Sequence, residues 1–259
     1  WGNGFVMGGG MGVYQGGDFR IVTEHSKLAM PEITIGLFPD VGGTWFLNRT
    51  RDHSGLFLGL TGAQINAADA LHVGLADVFI PHAEKARMVE RLAALAWADA
   101  AAARKAQIAA LLRELEHDGR ERLPAAQVPA HAEWIARVTS AGNLAEASAA
   151  ITAYAGDDAW AQRAVATHRR GCPVSIFLAH ELHRRGRGLS LADALRLELV
   201  AALNCAKYGV FREGVRAQII AKDNAPRFDP ATLAELTPAL QRQYLTPPWG
   251  DAPHPLADL

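Results

Sequence analysis

Residues 31–43 read PEITIGLFPDVGG, an apolar stretch in which two carboxylates, Glu32 and Asp40, each follow a proline. Because proline fixes φ, both carboxylates are predicted to lie on a stiff loop. In a structural interpretation, Glu32 pairs with a nearby arginine and Asp40 caps a helix that begins near Gly42. In a functional interpretation, both lie in a desolvated pocket, where a raised pKa suits general acid–base or nucleophilic chemistry. The residues alone leave both interpretations open.

A glycine-rich turn precedes this loop. Residues 8–12 read GGGMG and follow a predicted strand at residues 5–7. Backbone N–H groups at a junction between strand and helix lack partners within the helix and suit an anion. The spacing does not fit the dinucleotide pattern G-x-G-x-x-G, because Val13 or Gln15 would take its last position. Close packing of strand against helix is the alternative explanation of these glycines.

The chain changes character along its length, which predicts an α/β fold with a helical second part. Fourteen of the 24 glycines precede residue 63, and Ala-rich helical patterning dominates from residue 82 onward. We therefore predict two domains, residues 1–97 and 98–259. Seven of the 13 prolines lie from Pro226 onward, so the tail is predicted to be poorly regular. The main predicted helices cover about residues 51–60, 84–115, 131–138, 144–154, 158–170, 174–185 and 191–207, with one more starting at Ala67 between the cap Asn66 and the stop Gly74.

Composition argues against several classes of protein. The 26 Lys and Arg residues against 27 Asp and Glu give a net charge of −1, which disfavours a nucleic-acid partner. No apolar run is long enough to predict a membrane span, and no secretory signal is visible. Cys172 and Cys205 are too few for a disulfide framework, so we expect a reducing, cytoplasmic location. The histidines show no metal-ligand spacing, and the basic run 183–187 is interpreted as a surface patch or a CoA contact.

Several motifs together resemble a known superfamily. The sequence MGGGMG at 7–12, residues 29–43 and LTG at 60–62 resemble the enoyl-CoA hydratase/isomerase (crotonase) superfamily. A second block, formed by CPVS at 172–175, FREGVRA at 211–217 and KDNAP at 222–226, is similar to its 3-hydroxyisobutyryl-CoA hydrolase branch. The resemblance covers about residues 1–235. It implies a crotonase-like spiral of ββα units, of which this chain holds the C-terminal part, followed by a mostly helical region.

The resemblance also implies site residues and an activity. Gly12 stands where hydratases of the superfamily carry one of two glutamates, while Glu32 retains the other. Asp40 stands where hydratases usually carry glycine and the hydrolases carry aspartate. This exchange favours hydrolysis of 3-hydroxyisobutyryl-CoA to 3-hydroxyisobutyrate and CoA, as in valine catabolism. Glu32 would act as nucleophile or general base, Asp40 would orient water or the substrate hydroxyl, and Gly9, beside Gly8, would supply an oxyanion N–H.

The remaining expectations concern partners and alternatives. CoA is expected as part of an acyl-CoA substrate, with no separate cofactor, no metal and no membrane. The chain begins at Trp1, and the family's fold implies a preceding segment that supplies the second oxyanion donor, either absent or provided as a separate piece. An enoyl-CoA hydratase or isomerase with Glu32 as its single acid–base residue is the alternative enzyme. A non-catalytic module that binds CoA esters or a partner is the second alternative.

Overall fold

The computed structural model describes the backbone of residues 1–259 and the side chains of all of them except residue 118. Internal contacts divide the chain into two compact units. The first unit is built from Trp1–Leu28 and Ile65–Ala130, and the second from Ala29–Gln64 and His131–Leu259. Each unit therefore combines two separate stretches of sequence. The predicted domains 1–97 and 98–259 follow the change in sequence character and stay a prediction.

Helices dominate the chain, and short strands lie near its beginning. The strands are β1 Phe5–Met7, β2 Ile21–Val22, β3 Lys27–Ala29 and β4 Val78–Phe79. The α-helices, in chain order, are α1 Gly9–Gln15, α2 Gly43–Phe46, α3 Ser54–Thr61, α4 Ala67–Val73, α5 Lys85–Ala93, α6 Ala101–Gly119, α7 Ala132–Thr139, α8 Leu144–Thr152, α9 Ala159–Arg170, α10 Pro173–Arg185, α11 Leu191–Lys207, α12 Val210–Val215 and α13 Pro238–Leu245. Among the described residues, no helix combines the length and the apolar character needed to cross a membrane.

The first unit has its core between strands and two helices. Strands β2 and β4 are parallel, with Ile21 opposite Val78, while β1 is hydrogen-bonded to β3. Seven buried side chains form this core: Ile21, Val78, Ile80, Met88, Leu111, Leu112 and Leu115. Since Met88 lies on α5 and the three leucines lie on α6, the amphipathic faces of these helices cover the parallel pair. Strand β1 covers the predicted residues 5–7, whereas β2 and β4 are only two residues long.

Helix α4 starts and ends where the sequence predicted. The Asn66 side chain accepts the Asp69 N–H at 3.1 Å, and the Asp69 carboxylate accepts the Asn66 N–H at 3.1 Å. This reciprocal capping box satisfies two N–H groups that the helix itself leaves free. At the other end, Gly74 has φ 83°, a left-handed conformation that favours glycine and closes the helix.

The second unit contains mostly helices, as expected for the later part of the chain. Helices α7 to α11 begin and end within a few residues of the predicted bounds. The tail is more regular than predicted, because it contains α13, which begins with a proline after the cap Thr237. Asn204 of α11 anchors this helix by donating to the carbonyl oxygens of Tyr244 at 3.1 Å and Thr246 at 2.8 Å. Pro238 therefore starts a helix, although the prolines of the tail were expected to prevent regular structure.

Candidate functional site

The loop that carries Glu32 is held by residues far along the chain. Glu32–Thr34 forms a short 3₁₀ helix. The Cys172 N–H at the start of α10 donates to the Ile33 carbonyl at 2.7 Å. The Gln218 side-chain amide donates to the Thr34 carbonyl at 2.7 Å. Two residues within or next to the second sequence block therefore fix the backbone on which Glu32 lies.

Two glycines allow this loop to touch the backbone of α12 directly. Gly36 has φ 75°, and a Cβ there would lie 2.1 Å from the Val210 carbonyl oxygen. A Cβ on Gly214 would lie 2.0 Å from the Ile35 carbonyl oxygen. Any side chain at either position would force the two backbones apart, so glycine is required at both. The glycine of the motif at 211–217 thus has a packing role beside the site.

Glu32 is a buried and incompletely paired carboxyl group. The residue is only 4% exposed, and its Oε2 has no hydrogen-bond partner. Burial raises its pKa to about 8, and the negative charge of Asp40 adds to the increase. Among the described residues no arginine pairs with it, so the interpretation of Glu32 as an arginine partner is wrong. A desolvated carboxyl group of this kind is typical of catalytic sites.

Asp40 lies close enough to Glu32 for its charge to act on it, and it is partly buried. Burial raises its pKa as well. Helix α2 begins at Gly43, its cap position is Gly42, and the cap residue makes no side-chain capping bond. The Asp40 carbonyl, not its carboxylate, accepts the Gly43 N–H at 2.7 Å. The interpretation of Asp40 as the helix cap is therefore wrong, and its carboxylate is not used for that purpose.

The carboxylate that does cap α2 belongs to Glu198, which the sequence analysis missed. Its Oε2 accepts the Gly42 N–H at 2.8 Å, and its Oε1 accepts the Thr44 N–H at 2.8 Å. Glu198 is 4% exposed, and burial raises its pKa to about 7 although these hydrogen bonds oppose the increase. The available signal was its position in α11, in line with the buried residues Ala194, Ala201 and Cys205. An acidic residue within an apolar helix stripe indicates a buried partner.

Gly8 and Gly9 lie in the first unit, whereas Glu32, Asp40 and Glu198 lie in the second. Gly8, at φ 53°, precedes α1, and Gly9 is the first residue of that helix, where an N–H has no acceptor within the helix. A Cβ on Gly9 would meet nothing within 4 Å. These features are compatible with an N–H that faces a ligand. The oxyanion role of Gly9 and Gly8 stays a prediction.

Other chemistry-bearing residues have structural roles. Cys172 and Cys205 are free, fully buried thiols, and burial raises the pKa of both. Arg184 and Arg185 of the basic run both pair with Glu181 at 2.7 Å, as expected for a surface patch. The described residues contain no group of three or more His, Cys, Asp or Glu that could hold a metal ion.

Comparison with known proteins shows which family the chain is similar to. The family model for enoyl-CoA hydratase/isomerase matches residues 1–245. The mitochondrial 3-hydroxyisobutyryl-CoA hydrolase of Danio rerio is 35% identical over 235 residues, which are 90% of this chain and 59% of that protein. The human protein of the same name is 33% identical over 236 residues, 91% of this chain and 59% of its own.

A solved structure shows the same fold. The crystal structure of a carnitinyl-CoA dehydratase from Mycobacterium thermoresistibile aligns with a TM-score of 0.79 at 34% identity, covering 93% of this chain and 65% of that one. The chain thus spans about three fifths of the length of the curated relatives it matches. The predicted α/β, crotonase-like fold is confirmed, and the chain belongs to the enoyl-CoA hydratase/isomerase family.

Proposed function

We propose that the protein containing this chain is an acyl-CoA thioester hydrolase that converts 3-hydroxyisobutyryl-CoA to 3-hydroxyisobutyrate and CoA. The observation that carries the proposal is the pair Glu32 and Asp40, two carboxylates in one loop with raised pKa values and without a cation beside Glu32. The names of the relatives from Danio rerio and human support the hydrolase. The predicted cytoplasmic location and the absence of a separate cofactor belong to the same proposal.

The chemistry assigned to Glu32 is attack or base catalysis at the thioester carbonyl. As a nucleophile, its carboxylate oxygen forms a bond to the carbonyl carbon, the C–S bond breaks, and CoA leaves as the thiolate. Water then hydrolyses the resulting acyl anhydride, which releases the acid and restores Glu32. As a general base, Glu32 instead takes a proton from the water that attacks the carbonyl. Both routes need the ionised form, which burial leaves poorly solvated and reactive.

Asp40 and Gly9 complete the proposed mechanism. Asp40 orients the attacking water or the substrate hydroxyl, since its carboxylate does not cap α2. The Gly9 N–H stabilises the negative charge on the carbonyl oxygen, where one such donor contributes about 2.7–4 kcal/mol to transition-state stabilisation. CoA enters and leaves as part of the substrate.

A hydratase or dehydratase is the second candidate, favoured by the name of the structural relative from Mycobacterium thermoresistibile. Such a reaction in this superfamily is expected to use a second carboxylate where this chain has Gly12. Glycine offers no proton-transferring group, which is why we place hydrolysis first. The non-catalytic alternative would require binding of CoA esters without turnover.

The deciding experiment compares two reactions of the full-length protein. Release of free thiol from 3-hydroxyisobutyryl-CoA reports hydrolysis, and loss of the enoyl absorbance of crotonyl-CoA reports hydration. We expect thiol release, reduced by on the order of 10²-fold or more in Asp40→Asn, with the melting temperature kept within a few degrees. Glu133→Gln, an exposed change of the same kind, serves as the control. Full hydrolysis by Asp40→Asn, or hydration alone, would overturn the proposal.

A further inference from the structure

The turn between Asp40 and α2 has a strained backbone. Val41 has φ 51° and Gly42 has φ 88°. A left-handed conformation is rare for a β-branched residue such as valine. Such a conformation persists only where the surroundings enforce it. Val41 is 38% exposed, so packing of its own side chain is a weak restraint on this conformation.

A single carboxylate provides most of the restraint on this turn. Three successive N–H groups, those of residues 42–44, have acceptors, and Glu198 supplies two of them at 2.8 Å each. The third, of Gly43, donates to the Asp40 carbonyl at 2.7 Å. Hydrogen bonds to a carboxylate are about twice as strong as those between neutral groups. Glu198 therefore holds the residues that directly follow Asp40 in the sequence by hydrogen bonds to their backbone.

Glu198 makes these contacts with both of its oxygens. Each oxygen accepts one backbone N–H, and the residue is 4% exposed. Asp40 is the charged side chain that acts on it electrostatically. The negative charge of the Glu198 carboxylate is stabilised by N–H groups at the start of α2 rather than by a cation. Its geometry suits a residue that positions a neighbour and does not itself meet the substrate.

We propose that Glu198 is a positioning residue for hydrolysis, which holds the strained turn at Val41 and thereby fixes the carboxylate of Asp40 toward Glu32. The inference rests on the proposed function, because its effect on rate passes through Asp40. A misplacement of about 1 Å at a catalytic group can lower the rate on the order of 10²-fold. A purely structural Glu198 would instead stabilise the contact between α11 and α2 without an effect on the chemical step that depends on Asp40.

A double-mutant cycle on the full-length protein separates these roles. Glu198→Gln keeps the shape of the side chain but replaces one acceptor oxygen by an NH₂ group that opposes an N–H. We expect kcat for thiol release to fall at least 10-fold with KM changed less than about threefold. The combination of Glu198→Gln with Asp40→Asn should be no slower than Asp40→Asn alone, because both changes remove the same function. Asp193→Asn, an exposed carboxylate of the same helix, is the matched control and should keep the full rate.

A second variant keeps the experiment decisive if Glu198→Gln is too unstable to assay. In that case Glu198→Asp, which keeps the charge but shortens the side chain by one methylene group, replaces it in the cycle. The inference would be overturned if the rate losses of Glu198→Gln and Asp40→Asn multiplied in the double variant. It would also be overturned if Glu198→Gln kept the full rate. Absence of thiol release from the unsubstituted protein would overturn the proposed function instead. The two failures are therefore distinguishable.

Discussion

Replacement of Glu32 by glutamine is expected to stabilise the protein at alkaline pH while it removes hydrolysis. The folded-state pKa of Glu32 is about 8, above the ordinary value of 4.5. Between these pH values the folded state keeps a proton that the unfolded state has lost, so stability falls as pH rises through this window. At about 1.4 kcal/mol for each pH unit, ionised Glu32 destabilises the fold by at most about 5 kcal/mol above pH 8.

Glutamine does not ionise, so the variant escapes this penalty. Its melting temperature should match that of the unsubstituted protein within about 2 °C at pH 5 and exceed it at pH 9. If half of the maximum destabilisation of about 5 kcal/mol is realised, the melting temperature of the variant at pH 9 exceeds that of the unsubstituted protein by about 5–10 °C for a chain of this size. Such a gain of stability on loss of function is typical of a catalytic group in an unfavourable environment.

The measurement is thermal unfolding of the full-length protein in matched buffers at both pH values, with Glu133→Gln as the exposed control that should show no pH-dependent difference. Thiol release measured on the same samples links stability to activity. A Glu32→Gln protein that is equally destabilised at pH 5 and pH 9 would refute the reasoning. It would mean that the ionised carboxylate is stabilised by the fold rather than tolerated.

Further predictions address the chemistry and the supporting structure. For thiol release, kcat/KM should rise with pH through about 8, because Glu32 must be ionised, and a flat profile from pH 6 to 10 would contradict its role. Gly36→Ala and Gly214→Ala should each destabilise by about 3 kcal/mol or more in denaturant titrations, and together by less than the sum, since both disrupt one contact. Asp69→Ala should cost about 2–3 kcal/mol by the same titration, because its Oδ1 accepts two N–H groups of residues 127–128 at 2.6 and 2.8 Å, and an unchanged midpoint would refute this.

The sequence correctly predicted features that interactions between neighbouring residues determine. The helix after Asn66 was predicted from its cap and its closing Gly74, and both act within a few residues of the helix. The helix predicted over residues 191–207 is likewise set locally, because the side chain of its cap Ser190 accepts the Asp193 N–H. Burial of Glu32 in a desolvated pocket was one of the two interpretations that its apolar surroundings in the sequence left open.

Contacts between distant segments could not be predicted in this way. Asp40 has the spacing of a helix cap, but Glu198 takes that role from 156 residues away, and no local pattern pairs the two positions. The glycine of residues 211–217 carries a family resemblance, yet its contact with Ile35 depends on the packing of α12. Helix α13 was missed because prolines were interpreted as breaking regular structure, whereas Pro238 occupies a first-turn position that tolerates it.

The long separation between Asp40 and Glu198 also sets when the site can be completed during synthesis. A ribosome adds about 5–20 residues per second, so roughly 8–30 s pass between the two residues. The contact from Gln218 to Thr34 spans 184 residues and forms later still. Contacts this distant in sequence carry a high cost of loop closure and form slowly. A nascent chain therefore carries both carboxylates well before it holds the turn that orders them.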